Sequence, residues 1–105
     1  MTTGLWYQAA LRHDGIDELV SILREQFTAA LEAAGWPEGA CLFCVTGEAE
    51  HETVPQVFFS PAAISAVPHL IAACGAEPSP PPDRARATLL VGKETDWDLL
   101  PHASH

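Results

Sequence analysis

Apolar residues recur along this chain with two different periods. Ile16, Leu19, Val20, Leu23, Phe27, Ala30, Leu31 and Ala34 repeat at the three-and-four spacing that lines one face of a helix. Glu18, Ser21, Glu25, Thr28 and Glu32 take the opposite side. The spacing predicts an amphipathic helix over 16–34, with Asp14 as N-cap and Asp17 favoured in the first turn by the helix dipole. Its end is marked three times. Gly35 suits the left-handed position after the last turn, Trp36 can then cover Leu31, and Pro37 blocks continuation.

The second period is two. Residues 5–12 alternate as Leu5, Tyr7, Ala9, Leu11 against Trp6, Gln8, Ala10, Arg12, which predicts a first strand with the former set toward a core. Residues 40–46 form a second strand, 56–59 a third and 88–91 a fourth. The polar run 47–53 between the second and third strands reads as a hairpin loop. Ser60-Pro61 reads as N-cap and first position of another helix, carrying Ile64, Val67, Leu70, Ile71 and Cys74 inward. Pro68 interrupts that helix by removing an internal hydrogen bond, so either a kink or two short helices, 61–66 and 68–74, is expected. Residues 76–85 read as a Pro-rich connection with extended bias. The tail from 95 is expected to hold one helical turn capped by Thr95, with Trp97, Leu99 and Leu100 packing back and 102–105 loose.

The whole of 1–105 therefore reads as a single α+β domain with the order β-α-β-β-α-β. Its simplest packing is a ferredoxin-like two-layer sandwich: a four-stranded, mainly antiparallel sheet with two helices on one face. An open α/β fold with parallel strands is the alternative. In the sandwich one sheet face lacks helices. Alternation is expected to put Trp6, Leu42, Cys44 and Phe58 there, an apolar surface where a monomer should be polar. We expect a homodimer through that face, acting as a binding or accessory module, with cover by the tail as the other way to close it.

Composition narrows the partners. Fourteen acidic against five basic residues give a net charge of −9, and the basic residues form no block, so nucleic acid and anionic membrane surfaces are not expected partners. No apolar run approaches the ~20 residues of a membrane span, and the first residues lack the features of a signal peptide, so a cytoplasmic location is expected.

Candidate chemistry is sparse. Cys41-Leu42-Phe43-Cys44 has redox or metal spacing, but no helix follows it and only Cys74 remains as a further thiol. In a strand, residues three apart point to opposite faces, so the pair reads as two small strand residues. His13 and Asp14 could meet Glu48, Glu50, His51 and Glu52 at one sheet edge, a potential divalent-metal cluster that reads more simply as a solvated acidic loop. Ser60 needs no role beyond its helix start. The terminal His102 and His105 have metal spacing without a helix to hold them. No phosphate-cradling glycine run is present, and no cofactor is implied. The alternative to a binding module is a small enzyme with a pocket between sheet and helices that would take a small-molecule ligand, for which Tyr7, His13, His69 and Cys74 are the candidate residues.

Overall fold

A computed structural model of the chain describes residues 5–10, 16–46 and 55–100. Strands β1 (Trp6–Ala10), β2 (Leu42–Thr46), β3 (Pro55–Phe59), β4 (Glu77–Ser79) and β5 (Ala87–Val91) form one sheet. Helices α1 (Ile16–Ala33), α2 (Pro61–Ala66) and α3 (Pro68–Ala73) follow β1 and β3, and a 3-10 helix, Glu94–Leu99, follows β5.

The strand order is β4-β1-β3-β2-β5, and every neighbouring pair is antiparallel. This corrects the expected four-stranded sandwich, and it also overturns the parallel alternative. The added strand is β4, inside the segment read as a Pro-rich connection. It is three residues long and contains Pro78, opposite Tyr7. Proline cannot donate to a ladder and argues against a strand in sequence, yet an edge strand tolerates it. The strand expected as the fourth is β5, and it pairs with β2 at the other edge.

Local signals were followed closely elsewhere. The Trp36 N–H donates to the Leu31 carbonyl at 2.6 Å and the Gly35 N–H to the Glu32 carbonyl at 3.1 Å, with Gly35 at φ +85°. That double bond pattern is a Schellman stop, and it closes α1 where the sequence placed its end. Pro68 splits the second helical region into α2 and α3, joined at Val67.

Two apolar layers sandwich the sheet. On one face, Leu23, Phe27 and Leu31 of α1 and Ala63, Val67 and Ile71 of α2–α3 pack on Ala9, Leu42, Val57, Phe59, Leu90 and Val91. On the other, Trp6, Cys41, Phe43, Val45 and Phe58 pack with Leu100 and with half-buried Trp97 and Leu89. Leu90 is the extra residue in a bulge opposite the Leu42–Phe43 step, which turns both Leu90 and Val91 toward the helices. The Arg24 guanidinium Nε donates to the Leu90 carbonyl at 3.2 Å, tying α1 to this edge.

β4 and β5 run in the same direction at opposite edges, so residues 80–86 must cross the sheet. Pro82, on that segment, is buried.

Candidate functional site

The face expected to meet a second subunit is closed by the chain itself. Trp6 and Phe58 do share the face opposite the helices, but both are buried there. Leu42 instead belongs to the helix-side layer. Cys44 is half-buried and pairs with Val57, another helix-side residue. The structure thus brings together Trp6 and Phe58, and separates them from Leu42 and Cys44. Register decides this: Leu42 stands opposite Phe59 and Phe43 opposite Phe58. Residues directly opposite one another share a face, and a one-residue slip exchanges every side chain between faces.

The segment after β5 packs on this face. Trp97 meets Phe43 edge-on, ring centroids 4.9 Å apart, and Trp6 lies 6.2 Å from the same phenyl ring. Leu100 is buried beside them. The 3-10 helix is capped at Lys93 rather than at the expected Thr95, where the Asp96 carboxylate reaches back to accept the Lys93 N–H at 2.7 Å. Gly92, at φ +143°, makes the bend possible. A Cβ there would lie 2.6 Å from Asp96 Oδ2 and 2.8 Å from Cys41 Cβ.

The thiols are held protonated. Burial pushes Cys41 up to about 12 from 9.0, helped by the nearby Asp96 charge. Burial raises Cys44 and Cys74 as well. A thiol is a nucleophile as the thiolate, so none of the three is poised as one near neutral pH. All three are free, and Cys41 and Cys44 lie on opposite faces of β2. Ser60 is also committed. Its Oγ accepts the Cys41 N–H at 2.9 Å and the Ala63 N–H at 3.2 Å, and donates to the Gly39 carbonyl at 2.8 Å. It fastens the start of α2 to the strand entering β2.

Of the residues considered for an enzyme, Tyr7 is half-buried, His69 is exposed on α3, and Cys74 packs partly against the helix-side layer. Of these three, Tyr7 lines one of the two concavities described below, and His69 and Cys74 line neither. His13, Asp14, the acidic hairpin over 47–53 and the terminal histidines lie outside the described residues. Among the described residues no group of three or more His, Cys, Asp or Glu side chains is placed to hold a metal ion. No helix among them is long and apolar enough to cross a membrane.

Among the described residues, two open concavities are defined. The first is an apolar groove of about 410 Å³ between β1 and α2, lined by Leu5, Tyr7, Pro61, Ala62, Ile64 and Ser65. Leu5, read from sequence as a core residue, is 63% exposed at its rim. The second is a cleft of about 430 Å³ between the loop after α1 and the bend after β5, where Trp36, Glu38, Gly39, Lys93, Thr95 and Asp96 meet. Their linings come close at Gly39 and Ala62. A Cβ on Gly39 would touch Ala62, which lines the groove, at 3.9 Å. It would also touch Leu99, itself 45% exposed, at 3.7 Å.

Sequence reasoning found Tyr7 but missed the rest of this surface. A signal was present in Gly35-Trp36-Pro37-Glu38-Gly39, a tryptophan held in a loop between two glycines. It was absorbed there as a helix stop, which it also is. No family model, no curated protein and no solved structure matches the chain.

Proposed function

We propose that the protein is a binding module that takes an apolar segment of a partner chain in the groove between β1 and α2. The observation that carries this reading is Leu5. A large aliphatic side chain stands 63% exposed beside half-buried Tyr7 and Ile64, with a concavity between them, while the larger apolar face of the sheet is already covered. Apolar grooves with a few polar groups, here the Tyr7 and Ser65 hydroxyls, bind ligands by burying an anchor and orienting it. A basic partner is favoured over a second copy, because each copy carries a net charge of −9 and two copies repel one another.

Titration of isotope-labelled protein with N-acetyl-leucine amide tests this. Saturable shifts are expected at the amides of Tyr7, Ile64 and Ser65, and their loss in Leu5→Glu, which changes a solvent-facing side chain and should leave the fold intact. Shifts that stay linear with concentration, or that are equal in the variant, would sink the reading. Light scattering separates the occupants: a wild-type dimer at high micromolar concentration that Leu5→Glu dissociates would make the occupant a second copy.

A further inference from the structure

The segment that leaves β4 is a second surface with a chemistry of its own, and neither concavity uses it. It reads Pro78-Ser79-Pro80-Pro81-Pro82-Asp83. A proline fixes its own φ at about −65°, and the residue before a proline is pushed into the extended region. Pro80 and Pro81 are each in both positions, so their backbones are held in the polyproline II conformation, which has roughly three residues per turn. Burial follows that period. Ser79, opposite Trp6 in the sheet, is half-buried, and Pro82, one turn on, is buried. Pro78 and Pro81 make a second edge, Pro80 and Asp83 a third, and all four residues are exposed. One edge of the helix is thus laid on the protein and two are offered to solvent. Both ends are tied. Pro78 and Ser79 pair with Tyr7 and Trp6 of β1, and the Asp83 carbonyl accepts the Arg86 and Ala87 N–H groups, each at 3.0 Å.

We propose that this ridge is a docking site for a second protein that takes it in an aromatic-lined groove. A threefold helix is triangular in section, so a groove can enclose two edges while the third stays on its own fold. Pro80, Pro81 and Pro82 carry no N–H, so the ridge offers carbonyl acceptors and the partner must supply the donors. Indole N–H and phenol O–H groups supply them from rings that also pack on pyrrolidine. The conformation is set before binding, which keeps the ordering cost small. The ridge is independent of the groove beside β1. In that groove the chain receives a segment, whereas here it presents one.

The test titrates the isotope-labelled full chain with a purified SH3 domain and a purified WW domain, both of which carry grooves of this kind. Prolines have no amide proton, so the readout is at the Ser79, Asp83 and Arg84 amides. Saturable shifts are expected there with at least one of the two domains. Pro80→Ala and Pro81→Ala each take a ring from one exposed edge and should weaken that binding about 10-fold, the scale of an interface anchor. Replacing a groove tryptophan of the responding domain by alanine should abolish it. Both prolines are exposed, so folding is preserved, and unchanged amide spectra outside the segment check this. Leu5→Glu, which removes the groove beside β1, should leave the shifts intact and so separates the two readings. No saturable shift with either domain, or equal binding by wild type and both proline variants, overturns the proposal. Shifts lost in Leu5→Glu would place the contact in the groove and overturn it as well.

Discussion

On one face of the sheet, Phe59 meets Phe27 of an 18-residue helix, with ring centroids 5.4 Å apart. On the other, Phe43 meets Trp97 of a six-residue 3-10 helix, with centroids 4.9 Å apart. Both phenylalanines are wholly buried. The covers differ in how they are built. α1 brings Leu23, Phe27 and Leu31 down by periodicity alone. The cover on the other face is irregular and depends on a glycine bend, one carboxylate cap and two large side chains. A short helix cannot supply a continuous apolar stripe, so Trp97 and Leu100 substitute bulk for repetition. The comparison teaches that an apolar sheet face without helices is not by itself an interface. A tail of a few residues can help close it, and the exposed large apolar side chains then lie elsewhere, at Leu5, Ile22 and Leu99.

The sharpest way to break the comparison is to delete one ring from each face. Phe59→Ala and Phe43→Ala should each cost about 3–5 kcal/mol, the range for a buried aromatic. Equal losses in chemical denaturation mean that the irregular cover holds as firmly as the helical one. A much smaller loss for Phe43→Ala would show that the cover frays and that the face is partly open. A Cβ at Gly92 attacks the bend directly. Gly92→Ala should destabilise by about 2–3 kcal/mol, from a backbone region that L residues avoid together with collisions against Asp96 and Cys41. Near-ultraviolet circular dichroism should show Trp97 losing its fixed environment while far-ultraviolet helix content stays. Retention of the wild-type aromatic signal at wild-type stability would contradict the role given to the bend.

The smallest effect is a pH dependence. Cys41 keeps its proton in the folded chain up to about 12 but loses it near 9.0 once unfolded. Above pH 9 the unfolded state binds fewer protons than the folded one, so stability falls as pH rises, by up to roughly 1.4 kcal/mol per unit. Below pH 9 this contribution is fully present. Denaturation at pH 8 and pH 10 should show the loss in wild type and a shallower one in Cys41→Ala. An equal slope in both would mean that Cys41 is not the group responsible.

How far the sequence reached can be judged from particular residues. The stop of α1 at Gly35 and the division at Pro68 were legible because each is set by a residue's own backbone limits. β4 was not legible: three residues containing Pro78 carry no period, and they become a strand only because β1 offers a free edge. The candidate binding surface was partly visible through Tyr7 and hidden otherwise. Leu5 alternates with the core residues of its strand, yet its place at the strand's beginning leaves it beside a groove. Glu38 is far along the chain from Lys93 and Asp96, and nothing in the spacing announces that they line one cleft.

By itself, the sequence determined the period of each element, the stops between them, and the fact that both faces of the sheet are apolar. Those are local properties, fixed by side-chain alternation, helix repeat, glycine and proline. Tertiary structure decided which face each residue of β2 joins, and what covers it. Cys41 and Cys44 are on opposite faces, as alternation requires, but only the pairing of Leu42 with Phe59 turns Cys44 toward the helices and Cys41 toward Asp96 and Gly92. Register is a relation between two strands, so neither strand contains it alone.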